Sequence, residues 1–514
     1  MSRKTQILFA LAIAAAVFGY RHFVERPRAD TGRTSAARGD ATPVTPRMLG
    51  RIAFAPCTLS PQLGAASVEA QCGTLDVAEN PQAPNGRRIK LHLAWVPGVE
   101  DGERAPDPVF LLAGGPGQSA TGSYPRVAHA FREVLKQRSV VLVDQRGTGK
   151  SNPLTCASED AALSGDEAAA TAAMQTAAER CRDALSKKAD LRYYTTSAAI
   201  GDLDAVRAAI GAETINLIGI SYGTRVAQQY ARRYPAHTRS LVLDSVAPNA
   251  IYLGNDFARN LESALDLQFG RCGQTPACVR ALGNPRERLD ALMARLKTAP
   301  PLVTYRDAGT GETKQDTLTP GHVAALARMY AYAPAAASIL PLQLNEGAQG
   351  RYEGLMALSQ LLADDLSEQM AMGLQLSVIC SEDIDGLHSD PAMADSVLGN
   401  ALVRGLQTQC AVWPKGARPA DFHAPLATAV PALLLSGEHD PVTPPAYAQQ
   451  VAKTLPNARA LTLRGQGHNV IGAGCMPKLF AQFLDTANAK TLDATCLDTL
   501  TDTPPFTSFN GWGA

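Results

Sequence analysis

Three residues of complementary chemistry stand in three glycine-marked stretches of this chain. Ser221 lies in Gly219-Ile220-Ser221-Tyr222-Gly223, Asp440 in Ser436-Gly437-Glu438-His439-Asp440-Pro441, and His468 in Gly465-Gln466-Gly467-His468-Asn469. A serine hydroxyl becomes a nucleophile when an imidazole takes its proton, and a carboxylate keeps that imidazole in the right tautomer and stabilises its cation. The Ser221 stretch follows an apolar run from Thr214 and precedes a helix-like segment, Thr224 to Tyr234. It reads as a nucleophile elbow, a tight strand-to-helix turn in which glycines flank the serine because side chains there would collide with neighbouring backbone. Such a turn lifts the Ser221 hydroxyl above the sheet and places the Tyr222 N–H at a helix start, facing a developing oxyanion. In a chain with 42 glycines the pentapeptide alone is weak evidence, and a plain strand-turn accounts for it equally well. The downstream acid and base decide between the two. His439 is the rival base, but as the neighbour of Asp440 on one loop it is badly placed to be oriented by that carboxylate.

The elements that must position these residues alternate in kind. Arg88 to Val96 alternates as a strand, while Pro108 to Leu112, Ser139 to Val143, Thr214 to Ile220, Arg239 to Val246, Pro431 to Leu435 and Ala458 to Arg464 are apolar runs of buried-strand length. From Thr196 the steps Ala199, Leu203, Val206, Ile210 describe an amphipathic helix leading into the Ser221 strand. Strands alternating with helices predict an α/β fold with a mostly parallel sheet covered on both sides. Ser221, Asp440 and His468 each fall just past the C-terminal end of a strand, in the chain order serine, acid, histidine of the α/β-hydrolase fold. Between about Asn249 and Thr428 the rhythm stops. Helical stretches take over, one capped by Asn284-Pro285 with Leu289, Leu292 and Leu296 inward, others from His322 to Met329 and from Tyr352 to Leu366. This reads as a large helical cap inserted between the strand near 239–246 and the strand near 431–436.

Composition narrows the classes. The chain has 514 residues, 46% of them hydrophobic, and Lys+Arg equals Asp+Glu at 48 each, so no global field favours nucleic acid or an anionic membrane surface. Gly149-Lys150-Ser151 invites a nucleotide-binding reading, which fails because a phosphate-binding loop needs glycine where Asp144 stands. Arg3 and Lys4 followed by an apolar run over residues 7–20 fit an export signal or an uncleaved signal anchor, and the Pro, Thr, Arg and Gly-rich tract after it fits a linker. The ten cysteines form an even set without a zinc-like Cys-x-x-Cys pair. Pairing them in chain order, 57–72, 156–181, 272–278, 380–410 and 475–496, is the simplest of many connectivities, and an oxidising compartment suits it.

Taken together, Gly114-Gly115-Pro116-Gly117, Asp144-Gln145-Arg146-Gly147-Thr148-Gly149-x-Ser151, the Ser221 pentapeptide, Gly437-Glu438-His439-Asp440-Pro441-Val442-Thr443-Pro444 and Gly467-His468 resemble the proline iminopeptidase and tripeptidyl aminopeptidase group of secreted serine peptidases. The likeness runs from about Arg88 to Leu484. Ala113 departs from it, since many iminopeptidases have histidine there. The resemblance implies that the N–H of Gly115 is the second oxyanion donor and that the cap chooses the substrate. An aminopeptidase must pair a free α-ammonium with a carboxylate, because an unpaired cation in a low-dielectric pocket costs several kcal/mol. Within the cap, Ser377-Val378-Ile379-Cys380-Ser381 is followed at once by Glu382 and Asp383, which makes these the expected substrate-binding pair. The resemblance favours Glu382, while a solvated turn or helix end accounts for the same residues. The expected partition is a signal or anchor over 1–24, a linker over 25–48, core over 49–248, cap over 249–428, core over 429–500 and a tail over 501–514. The expected activity is hydrolysis of peptides from a free N-terminus without cofactor or metal, with a membrane tether through residues 7–20 in view. A capped carboxylesterase or lipase is the alternative.

Overall fold

The computed structural model describes residues 46–60, 65–98, 105–156 and 167–512. The signal-like run over 7–20 lies outside them. Ten strands form one sheet: β1 (Arg47–Leu49), β2 (Ile52–Leu59), β3 (Val68–Ala78), β4 (Arg88–Val96), β5 (Val109–Leu112), β6 (Val140–Val143), β7 (Ile215–Ile220), β8 (Thr238–Asp244), β11 (Ala432–Gly437) and β12 (Ala458–Leu463). Their order is β1-β2-β3-β4-β6-β5-β7-β8-β11-β12. Pairing is parallel from β6 through β12. It is antiparallel from β1 to β6. The antiparallel extension β1–β3 begins inside the tract that reads as a linker. Its strands are half exposed, so their burial leaves only a blurred alternation in the sequence.

The parallel strands bury both faces, as their unbroken apolar runs require. Phe110, Leu112, Val141 and Leu217 point into one apolar cluster. Val109, Leu111, Val140 and Ile218 point into the other. The helix Thr196–Ala209 lies on the first side, with Ala199, Leu203, Val206 and Ile210 all buried.

The insertion between β8 and β11 is helical with one exception, a two-stranded ribbon of β9 (Leu302–Arg306) and β10 (Thr313–Thr317). Thr313-Lys314-Gln315-Asp316-Thr317 is polar and exposed, so no periodicity reveals it in the sequence. Helices Phe257–Gln274, Pro285–Thr298, Pro320–Ala331 and Pro334–Ala348 enclose an apolar core of their own, with Leu289, Leu292 and Leu296 buried in it. Helices Met372–Glu382 and Ala401–Val412 behave differently. Their Leu374, Val378, Ile379, Cys380, Val403 and Cys410 join the main core beside β5 and β7. This part of the insertion therefore belongs physically to the body of the protein rather than to a roof over it.

All ten cysteines are paired, as Cys57–Cys72, Cys156–Cys181, Cys272–Cys278, Cys380–Cys410 and Cys475–Cys496. Each bond closes a local loop, and a set of this size fits an exported protein in an oxidising compartment. Among the described residues no helix is long and apolar enough to cross a membrane.

Candidate active site

The turn after β7 is built as a nucleophile elbow must be. Ser221 has φ 56° and ψ −122°, a strained conformation for a residue with a side chain. The flanking glycines are steric necessities: a Cβ on Gly219 would lie 2.3 Å from the Gly223 carbonyl oxygen, and one on Gly223 would lie 2.1 Å from that of Leu112. The Ser221 N–H donates to the Asp244 carbonyl at 2.9 Å, and the helix Tyr222–Arg233 follows at once. The loop after β5 closes over this turn, since a Cβ on Gly114 would stand 3.2 Å from Cβ of Ser221. Gly115 (φ 107°) and Gly117 (φ 121°) need their glycine freedom there.

Asp440 and His468 meet at the ends of β11 and β12. His468 Nδ1 is 2.8 Å from Oδ2 and 3.0 Å from Oδ1 of Asp440. Asp440 also accepts from the N–H groups of Val442 and Thr443 and from the Thr443 hydroxyl. Burial alone would push both groups towards their neutral forms. The attraction and hydrogen bond between them outweigh it, so the Asp440 carboxyl sits below its ordinary range and the His468 imidazole above its own. Tyr332 holds the other side of the ring, edge-on at 4.9 Å, while its carbonyl accepts the His468 N–H at 2.8 Å. His439 is engaged elsewhere. Its Nε2 is 2.6 Å from an Arg271 nitrogen, and burial and that guanidinium push its pKa down to about 4.

A second carboxylate, which the sequence reading passes over, ties the pieces together. Asp244 ends β8, and its buried side chain accepts the N–H groups of Val470 and Ile471 at 2.9–3.0 Å. Next to it, the Ser245 hydroxyl accepts from Asn469 N–H at 2.8 Å. One strand end thus touches the Ser221 turn through its backbone and the His468 loop through its side chains. Desolvation raises the Asp244 pKa to about 6 despite these bonds. The same strand-edge rule that marks Asp440 and His468 also marks Asp244-Ser245.

Glu382 and Asp383, the expected substrate-binding pair, lie in the interior. Both side chains are fully buried. Asp383 receives one Arg225 nitrogen on both oxygens, at 2.9 and 3.0 Å, in an ion pair with no solvent exposure on either side. Glu382 accepts the Thr196 N–H at 2.6 Å and lies 2.8 Å from the Thr196 hydroxyl, which in turn is 2.6 Å from the Tyr222 hydroxyl. Burial, with repulsion from Asp383 behind it, raises the Glu382 pKa to about 8, which leaves it mostly a neutral acid at neutral pH. Neither group offers an open counter-charge to an ammonium ion. The cause is the one visible in the fold: helix Met372–Glu382 packs into the main core.

The motif Asp144 to Ser151 is also a brace. Asp144 accepts from Thr121 N–H and Lys150 N–H, and Arg146 makes a two-point contact with Asp202 at 2.7 Å in the interior.

A family model described as "alpha/beta hydrolase fold" matches residues 107–300, and one described as "TAP-like protein" matches residues 395–496. The chain has the α/β-hydrolase fold. Peptidases of that fold are among the proteins it resembles. The tripeptidyl aminopeptidase of Streptomyces lividans is 29% identical over 188 residues, which is 34% of this chain and 35% of that enzyme. The serine protease Hip1 of Mycobacterium tuberculosis is 25% identical over 488 residues, covering 87% of this chain and 91% of its own. Carboxylesterase B of Mycobacterium tuberculosis is 26% identical over 452 residues, or 79% and 82%. Among solved structures, proline iminopeptidase of Mycobacterium smegmatis shares 17% identity over 80% of this chain and 98% of its own, with a TM-score of 0.41. Serine hydrolase chemistry is therefore the chain's class.

Proposed function

We propose that this protein is an exported serine aminopeptidase, of tripeptidyl or prolyl type, that cleaves peptides near a free N-terminus through an acyl-enzyme on Ser221. The observation that carries the reading is the Asp440–His468 pair, two hydrogen-bond distances under 3.1 Å, held against the strained Ser221 turn by Asp244. His468 takes the hydroxyl proton as Ser221 attacks the scissile carbonyl, and returns it to the departing amine. The N–H groups of Tyr222 and Gly115 receive the oxyanion, and water then repeats the sequence on the acyl-enzyme. The part of the insertion that carries Tyr332, not the core-packed helices Met372–Glu382 and Ala401–Val412, covers the site and selects the substrate. The exopeptidase part rests on the tripeptidyl aminopeptidase likeness, and Glu382 and Asp383 contribute no ammonium pocket to it.

Mass spectrometry of the fragments released from a mixed peptide library tests the proposal. Short N-terminal fragments of one length support it; cuts scattered through peptide interiors contradict it. The likeness to Carboxylesterase B favours a second reading, a capped esterase. Parallel turnover of peptide amides and simple esters separates the two, since an esterase leaves the amides intact.

A further inference from the structure

Arg328 stands on helix Pro320–Ala331, one turn before Tyr332, whose ring and carbonyl meet His468. Residues four apart share a helix face, so the guanidinium lies on the side of the cap that looks towards the histidine. It rests over the ring of Phe257 with 4.9 Å between its carbon and the ring centre. Phe257 begins the adjacent helix, which abuts the Asp440 loop through the hydrogen bond of Asn260 to the Val442 carbonyl at 2.8 Å. Two cap elements thus bring one cation to the Asp440–His468 side of the site. Arg328 is partly buried, and no carboxylate among the described residues forms an ion pair with it. The interior arginines behave otherwise: Arg138, Arg146 and Arg225 are each held by an aspartate. Its charge is also felt at His468.

We infer that Arg328 is a subsite for a carboxylate carried by the leaving fragment of the substrate. The inference rests on the peptidase reading. In that reaction His468 delivers its proton to the departing amine, so the leaving fragment must lie beside the imidazole, and the acyl part must lie on the Gly114–Gly115 side. A guanidinium stacked on an aromatic ring is pre-organised for two-point recognition of a carboxylate. Two groups on a leaving fragment supply that chemistry: the α-carboxylate of a short peptide, which ends one or two residues past the cut, and an acidic side chain on the residue after the cut. Substrates of this class are short peptides rather than intact proteins when the first source applies.

The test compares tri-, tetra- and pentaalanine as free acids, the same peptides as C-terminal amides, and the amides with glutamate at the last position. Carboxylate-bearing peptides should exceed the plain amides in kcat/KM by about tenfold or more, mainly through KM, with the ratio shrinking as salt is added. Arg328→Gln should bring the ratio close to one, and Arg328→Lys should keep part of it. A free acid that gains while the glutamyl amide does not assigns the α-carboxylate, and the reverse assigns the side chain. A wild-type ratio near one, or a ratio unchanged in Arg328→Gln, overturns the subsite while leaving the peptidase reading standing. Failure of the wild-type enzyme to cleave any of these peptides, alongside turnover of a simple ester, removes the peptidase reading and the subsite with it.

Discussion

Replacing each of two adjacent carboxylates by its amide should give opposite results, and the reason lies in their partners. Asp383 faces Arg225 with both side chains wholly buried, so Asp383→Asn leaves a buried guanidinium without its ion-pair partner, beside the Ile251 carbonyl and the Phe422 ring. Removing one member of a buried pair costs about 3–5 kcal/mol. Glu382, by contrast, is a neutral acid up to a pH of about 8, accepting from the Thr196 N–H with one oxygen and facing the Thr196 hydroxyl with the other. The amide of glutamine reproduces that pattern, so Glu382→Gln at pH 6 should stay within about 1 kcal/mol of wild type. The sign of the pH effect follows from linkage. The folded pKa of Glu382 is raised above its unfolded value of 4.5, so its contribution is fully present below pH 4.5 and is lost as pH rises towards 8. Glutamine has no such loss, and the stability of Glu382→Gln relative to wild type should climb across this window, by at most about 1.4 kcal/mol per pH unit. Urea unfolding of both variants at pH 5, 6.5 and 8 measures this directly. Steady-state kinetics adds a functional arm: KM of Glu382→Gln for free-amine peptides should change by less than about threefold, because the group meets no substrate charge. A large rise in KM with unaltered stability would refute the buried-network reasoning and restore Glu382 as an ammonium ligand.

Four further outcomes follow from the same geometry. Ser221→Ala and His468→Ala should each lower kcat by several orders of magnitude with unfolding curves unchanged, and Asp440→Asn should be severe through loss of the correct tautomer. The acid limb of kcat/KM should fall above pH 6.5, the ordinary histidine value, because Asp440 raises the His468 pKa and only the neutral ring accepts a proton. Asp244→Asn should cost about 1.5–3 kcal/mol and reduce kcat, since it removes a charged acceptor from the Val470 and Ile471 N–H groups that hold the His468 loop; unfolding and turnover curves report both. Reduction of the five disulfides should lower the melting temperature, each bond contributing on the order of 2–4 kcal/mol, and thiol titration of the native protein should find none free.

The sequence makes the catalytic edge legible because its chemistry and its backbone requirements coincide. Only glycine fits at Gly219 and Gly223, and apolar strands bury both faces, so the motif and its setting carry one message. Asp440 and His468 are legible by type and strand-end position alone. Asp244 sits at the same edge but lacks a flanking glycine motif, and its work is done on backbone amides 226 and 227 residues away, which no local pattern announces. Glu382 and Asp383 show the reverse situation. Two acids after a disulfide cysteine resemble a binding pair, yet their partners Thr196 and Arg225 come from 186 and 158 residues away in the core. The assumption that the whole insertion forms a roof hides this, since helix Met372–Glu382 is apolar enough to be core and its packing decides which.

The central claim is hydrolysis from a free N-terminus by Ser221. Matched peptides with free and acetylated α-amines, incubated with wild-type enzyme and with Ser221→Ala and followed by product mass, test it most directly. Cleavage of the free peptide by the wild type alone, with the acetylated peptide left intact, is the expected result. Equal cleavage of the two peptides, or cleavage that persists in Ser221→Ala, would contradict it.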